Sequence, residues 1–336
     1  MSTIETSREA IEAVCLSALV LHGATADNAR PVARAIARAE ADGNRVCGLY
    51  YLPIFCRHLT VGKIDGGAAP DVVTRGGTVM VDARSGFAHP AIAAGTPALV
   101  AAARRSGIAA MAVRNSYNCL ALAHHVLPLA ESGLIGICLS NAPASVAPPG
   151  ATRALFGTNP LAFAVPTKDG APPIVVDQSM SAVTKTEMIL RGNRGETIPT
   201  GWAQDRNGQP TTDPATGLEG SLLPAGGRKG ANIALLIEIL AAALTGSALS
   251  TEASAFGNDE GGPPRVGQFL IAIDPGHFSA DHFTDALGGL VATHEDAGVR
   301  LPGRSRENHP VCVDADLWET ALGLSSPADA REPRTS

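Results

Sequence analysis

The chain has 336 residues, 45% of them hydrophobic, enough for two or three compact lobes around one or two substantial cores. With 26 Lys and Arg against 32 Asp and Glu the net charge is −6, and no dense basic run offers a footprint for nucleic acid. Six cysteines, at 15, 47, 56, 119, 138 and 312, lack the CxxC spacing of a zinc site and the density of a disulfide framework, a pattern of buried thiols in a reducing cytoplasm.

In chain order, residues 5–41 carry two helical patterns separated by Gly23, with apolar residues recurring every three or four positions. Glu5, Glu9 and Glu12 stand where a signal peptide would be basic, and no charge-free apolar run has the length of a membrane span, so neither is expected. Residues 42–70 are mixed, and GGTVMVDA (76–83) then reads as a strand entered from a glycine turn. A helix over 91–107, a strand over 108–116, a helix over 120–133 and a strand over 134–141 follow in α/β alternation.

Residues 145–225 break that rhythm, being rich in proline with only short strands at 161–166 and 173–178. A simple doubly wound sheet would not look like this. NIALLIEILAAALTG (232–246) reads as an apolar helix buried over most of its circumference. Residues 249–265 read as an exposed loop, 267–275 as a core strand, 282–298 as a helix and 326–336 as a disordered tail.

Neither a GxGxxG fingerprint nor a GxxxxGK[ST] phosphate loop is present. Instead Gly226, Gly227 and Gly230 surround Lys229 just before the long apolar helix, where close backbone approach, a helix N-terminus and an ammonium together favour an anion. On its own pattern such a helix start is more often a plain turn. Two further loop-strand segments, FGTNPLAFAVP (156–166) and the stretch through Asp177, Ser179 and Ser181, and a turn-rich run around Trp202, IPTGWAQDRNGQPTTDP (198–214), complete the unusual segments.

Taken in order with RNS (114–116), FLIAIDP (269–275) and VRLPGRSR (299–306), these segments resemble the malate/L-lactate dehydrogenase-type NAD(P)-dependent oxidoreductases, the family without a Rossmann fold. The resemblance runs from about residue 8 to 308. DARSGFAHPA and DQSMSA look most like its cyclic ketimine reductases, which reduce piperideine- and pyrroline-2-carboxylate with NADPH. The implied fold is α/β: a non-Rossmann dinucleotide-binding fold with a largely antiparallel, mixed central sheet and a helical lobe made from both chain ends. It implies a lobe from 1–72 with 278–325, an NAD(P)-binding domain over 73–277, and a cytoplasmic homodimer. It also implies cofactor contacts from Asn115, Ser116, Gly157, Thr158, Asn159, Asp177, Ser179, Ser181, Lys229 and Arg304, with NADP(H) favoured and NAD(H) possible.

One segment departs from the family. DGNRVCGLYYLP (42–53) aligns with a stretch that usually reads Ser-His-Gly with Arg three residues later, the histidine exchanging the proton and the arginine holding a substrate carboxylate. Here those positions are Val46, Cys47, Gly48 and Tyr51, and a cofactor-side segment that often carries histidine offers Tyr117 and Asn118.

Three readings follow. The chain is a reductase of altered substrate, with Cys47, Tyr51 and Asn118 at the chemistry and Tyr50 and Tyr51 against a cyclic substrate. Alternatively it works on 2-hydroxy and 2-oxo acids, or it is a diverted enzyme with a nucleophilic Cys47 or an inactive cofactor binder. An imine suits the substitutions, because a protonated imine already carries its proton and needs only hydride at carbon. No metal site is expected. His124 and His125 point about 100° apart on a helix and read as a solvated face; His89 reads as packing at a helix start, and Asp177 as orienting Ser179 and Ser181, binding a cofactor amide, or simply ending a strand.

Overall fold

The computed structural model describes residues 2–168, 171–279, 281–303 and 310–327. At its N-terminal side lie β1 (Thr3–Thr6), α1 (Arg8–Leu21), α2 (Ala26–Ala41) and α3 (Leu52–Thr60). Ser7 and Thr25 start the first two helices by accepting bonds from Ala10 and Asn28 backbone amides, the usual satisfaction of free N-terminal donors. The helical reading is corrected at residues 5 and 6, which belong to the strand β1 rather than to a first helical turn.

The central sheet is assembled from β2 (Asp71–Arg75), β3 (Thr78–Asp82), β4 (Ile108–Ser116), β5 (Ile135–Ser140), β6 (Leu161–Val165) and β7 (Ile174–Gln178). Helices α4 (Ala88–Ser106) and α5 (Ala123–Glu131) connect its strands. Beyond them come α6 (Lys185–Asn193), the two-residue strands β8 (Ala203–Gln204) and β9 (Pro210–Thr211), α7 (Pro214–Glu219) and β10 (Ser221–Leu222). The chain closes with α8 (Arg228–Glu238), β11 (Val266–Ile273), α9 (Asp281–Asp296), β12 (Val311–Asp314) and α10 (Ala315–Leu324).

Among the described residues seven strands form the sheet in the order β2-β3-β4-β11-β5-β6-β7, with β3 and β4 its parallel pair and every other pairing antiparallel. This is the mixed, largely antiparallel sheet the resemblance implied. The late strand β11 inserts between β4 and β5, which is why no continuous βαβ repeat governs the sequence. Its apolar face packs on α4 and α5 through Val81, Ile92, Leu99, Met111, Val126, Leu129 and Leu270.

The second core joins distant chain segments. Ile11, Leu19, Ile36, Leu52 and Phe55 from the first helices pack with Val311, Val313 and Trp318, and β1 pairs antiparallel with β12. Among the described residues, helix α9 contributes none to that cluster. Arg45 reinforces the closure by donating from Nη2 to the Cys312 carbonyl at 3.1 Å.

One other expectation is corrected, and one, the exposed loop over 249–265, holds. Helix α8 and the π-helical turn after it bury Ala234, Ile237, Glu238, Ala241 and Ala242, but Ile233, Leu235, Leu236, Ile239 and Leu244 are 42–59% exposed. An apolar face therefore lies open where burial over most of the circumference was expected. The 249–265 loop is exposed at many positions, yet it is anchored: the buried Lys63 Nζ donates to the carbonyls of Ala255, Asn258 and Glu260 at 2.7, 2.8 and 2.6 Å. Most of the expected tail, and the whole of 328–336, lies outside the described residues.

Candidate active site

The stretch 42–53 leaves α2 through two 3₁₀ turns, Arg45–Cys47 and Leu49–Tyr51, before Pro53 enters the first turn of α3. Its path is fixed by Glu40, a buried carboxylate whose Oε1 accepts the Leu49 amide at 2.7 Å. A Cβ on Gly48 would lie 2.0 Å from that oxygen, so glycine is demanded here by the close approach. Burial pushes the Glu40 carboxyl up, against the Leu49 bond and the Arg45 charge.

The turns bring Cys47 within the electrostatic reach of Asp177 at the end of β7 and Tyr51 to Thr186 of α6. Cys47 is half-buried, and burial, then the charge of Asp177 and then Cys119, push its thiol up to about 12. His58 does not activate it: its Nδ1 meets the Tyr117 hydroxyl in a short hydrogen bond, and its Nε2 lies 3.5 Å from Asp259. Cys47 is thus a neutral thiol at ordinary pH, which opposes the nucleophile reading. The Tyr51 hydroxyl lies 3.3 Å from Thr186 Oγ1, and burial chiefly pushes its phenol up to about 12, so it is a hydroxyl rather than a phenolate. Tyr50 stands edge-on to Tyr51 at 5.4 Å between ring centroids.

Asp177 is the ionisable acid of this group. It is open to solvent yet closely surrounded, and that desolvation raises its carboxyl above the usual carboxylate range, against hydrogen bonds from Ala123 and Leu122 amides and the His124 charge. Oδ2 accepts the Ala123 amide at 2.9 Å, so Asp177 caps α5 from another strand. This corrects one option for Asp177. Ser179 and Ser181 instead bond to each other at 3.0 Å, and Ser181 Oγ donates to the Val183 carbonyl at 2.6 Å.

The histidine pair is also corrected. The His124 side chain is only 9% exposed and its Nε2 lies 3.6 Å from Asp42 Oδ2; His125 is buried, with Nε2 2.9 Å from the Cys119 carbonyl and its ring 5.1 Å from that of His89. A two-residue HH signal cannot show this, because Asp42 is 82 positions upstream and Asp177 on a different strand. His89 packs at the start of α4, as expected.

Of the expected cofactor residues, some line the open face and others support it from behind. Gly226 and Gly227 adopt φ of +64° and +63° with open space where a Cβ would stand, and the exposed Lys229 follows in the first turn of α8. The Ala225 amide donates to the Met180 carbonyl at 2.8 Å, which lays this loop beside the Asp177–Ser181 segment. Such a glycine-rich helix start with a free ammonium side fits a dinucleotide phosphate. Asn118 is half-buried near Tyr51, its Oδ1 accepting the Leu120 amide at 2.9 Å.

Asn159, Ser116 and Asn115 face inward. Asn159 is fully buried at φ +37° and donates to the Ala234 carbonyl at 3.0 Å and Glu238 Oε2 at 2.9 Å. Glu238, unrecognised in the sequence, also accepts Ser250 Oγ at 2.6 Å, and that hydroxyl accepts the Gly157 amide at 3.0 Å. Asn159 therefore holds the Gly157-Thr158 turn, whose Thr158 carbonyl accepts the Met180 amide at 2.8 Å, rather than reaching a ligand itself. Ser116 is buried and donates to Gln268 at 2.6 Å, and Asn115 clamps Asp82 at 3.0 and 3.1 Å. Tyr117 is likewise core, among Phe55, Phe87 and Phe256. Arg304 lies outside the described residues; the chain reaches β7 just before it, with the Val175 amide 3.3 Å from the Pro302 carbonyl.

Comparison with known proteins identifies the family and the fold. The malate/L-lactate dehydrogenase family model matches residues 6–310. The chain is 42% identical over 306 residues to a (2R)-3-sulfolactate dehydrogenase (NADP(+)) of Chromohalobacter salexigens, covering 91% of each. It is 39% identical over 301 residues to a Delta(1)-pyrroline-2-carboxylate reductase of Ancylobacter novellus, covering 88% of each. The crystal structure of delta1-piperideine-2-carboxylate reductase from Pseudomonas syringae superposes with a TM-score of 0.90 at 35% identity, covering 96% of this chain and 99% of that one.

Proposed function

The chain belongs to the malate/L-lactate dehydrogenase family of oxidoreductases, and on that premise we propose that it reduces a cyclic imine with NADPH. The reductase and dehydrogenase relatives support a nicotinamide dinucleotide, and the NADP(+) named for the sulfolactate enzyme favours the phosphorylated form. When bound, that cofactor supplies a hydride to the substrate carbon. The Gly226-Gly227 turn, Lys229 and the Gly157-Thr158 turn would hold it.

The observation that carries the imine is the composition of the 42–53 turn. A hydroxy acid must gain or lose an alkoxide proton, and no histidine stands on this turn to exchange it. An imine nitrogen demands less, since a protonated imine already carries its proton. Tyr51 in the arginine position removes a bidentate carboxylate clamp worth about 2–5 kcal/mol when buried. Tyr50 and Tyr51 offer a ring face and two hydroxyls instead, which favours a cyclic substrate, as in a specialised biosynthetic route.

A 2-oxo acid is the second reading, favoured by the sulfolactate dehydrogenase relative. The assembly we propose is a homodimer, supported by the open apolar face of α8. NADPH oxidation assayed over cyclic imines with and without a 2-carboxylate, beside 2-oxo acids, decides the substrate. Imine turnover at least tenfold above any 2-oxo acid is expected; preference for 2-oxo acids overturns the imine.

A further inference from the structure

A cavity opens between the first turn of α6, the Ala144-Ser145 segment and the stretch 217–222 that joins α7 to β10. Its volume is about 40 Å³. On the order of 10–15 Å³ suffices for one water, so the space takes about three waters or a single carboxylate or phosphate group. The polar side chains on its wall are Lys185, Ser145 and Ser221; the rest of the wall is alanine, glycine and leucine, and no carboxylate lines it.

All three are donors that lack an acceptor among the described residues. Ser145 is 5% exposed, and its two hydrogen bonds are both made by its backbone, the amide to the Phe156 carbonyl at 2.7 Å and the carbonyl from the Leu222 amide at 2.8 Å. Its hydroxyl is left over. Ser221 is also buried; its Oγ accepts Gln204 Nε2 at 3.0 Å, which leaves its own O–H for another acceptor. Lys185 is open to solvent yet closely surrounded, as Asp177 is, which places it on a concave wall. Burial pushes its ammonium down, and no carboxylate offsets that. It also stands first in α6, where Thr184 Oγ1 satisfies the Glu187 amide and the other free N–H groups of the first turn add positive partial charge.

We infer that Lys185, Ser145 and Ser221 form a subsite for an oxyanion carried by one of the two reactants, a substrate carboxylate or a cofactor phosphate. The inference deepens the proposed reduction and rests on it for the reactants present. A crowded ammonium and two buried hydroxyls without acceptors are all stabilised by one group that brings negative charge and several lone pairs. Three rotatable N–H donors let a lysine meet such a group without the fixed fork an arginine requires. The location fits both sources. Thr186, the next residue, lies 3.3 Å from the Tyr51 hydroxyl, so the subsite shares one turn of α6 with the contact to the position that lacks arginine. On the other side, the chain runs from Leu222 on the cavity wall to the open Gly226-Gly227 turn, tied on the way by the Ala182 amide to the Leu223 carbonyl at 2.8 Å.

Sulfate is the probe for the subsite on the full chain. Thermal unfolding in sodium sulfate, against sodium chloride of equal ionic strength, is expected to show a sulfate-specific rise in Tm of which K185M loses roughly half, the Lys229 loop supplying the rest. Kinetics separates the sources. For a substrate oxyanion, K185M raises KM roughly tenfold for a cyclic imine with a 2-carboxylate and leaves that of an imine without one unchanged. For a cofactor phosphate, K185M weakens NADPH roughly tenfold in a fluorescence titration and leaves both imine KM values unchanged. In either case kcat stays within about threefold of wild type, and K185R restores most of the lost binding. S145A moves the same constant in the same direction and serves in place of K185M if that variant does not fold. A sulfate response, substrate KM and NADPH affinity all equal to wild type in the folded variant overturn the subsite. A wild type that reduces 2-oxo acids but no imine overturns the imine reading alone, because the sulfate response, the NADPH titration and the 2-oxo acid KM still decide the subsite.

Discussion

The hydroxyl of Tyr51 and that of Thr186 stand 3.3 Å apart, joining the turn after Cys47 to the first turn of α6. Tyr51→Phe removes this link at a cost of about 0.5–1.5 kcal/mol, measurable by urea denaturation. If the hydroxyl also meets the substrate, KM rises at least severalfold with cofactor affinity unchanged. A variant with wild-type KM and kcat assigns Tyr51 to structure alone.

Cys47 behaves oppositely. A thiol pushed up to about 12 by burial and by the Asp177 charge is almost wholly protonated at pH 8, so iodoacetamide modifies it slowly relative to the exposed Cys312. Cys47→Ala is expected to keep activity within about threefold. Abolition of turnover in that variant, with NADPH still bound, restores the thiol to the chemistry.

How much of this could be read from residues alone differs by element. The strands β4, β5 and β11 announce themselves by β-branched, apolar runs of the right length, and their pairing places the core correctly. Helix α8 misleads, because an apolar helix looks alike whether the chain itself or another surface covers it. Asn159 stands in the family's cofactor motif, yet its partner Glu238 is 79 positions away, so nothing local shows that its amide turns inward. The same holds for His124, whose neighbour Asp42 is 82 positions away.

The open face of α8 predicts a second copy. Ile233, Leu236 and Ile239 are 42%, 51% and 50% exposed, and a charge placed among them should disrupt association without touching the core. Leu236→Glu is expected to sediment as a monomer where wild type sediments as a dimer. Because the same helix begins at the Lys229 loop, NADPH affinity should fall as well. A wild-type monomer in sedimentation refutes the arrangement.

Acid should destabilise the protein through His125. Its folded value is depressed to about 4 by burial from an ordinary 6.5, so its contribution is fully present above pH 6.5 and disappears as pH falls toward 4. Two to three units correspond to on the order of 3 kcal/mol. His89, buried against it and depressed in the same sense, adds to the trend. Urea unfolding at pH 7 and pH 4.5 should show the loss, with a flatter dependence in His125→Gln. Equal slopes in both proteins remove His125 as the cause.

The shared core of Ile11 and Trp318 has a kinetic consequence. Every unusual residue of the 42–53 turn is present once the first sixty residues exist, but they lack the surface that packs them until residues 311–321 join. Contacts spanning some three hundred positions form slowly and late. Refolding should therefore restore the β-sheet signal before it restores turnover, and the slow phase should belong to the 42–53 turn.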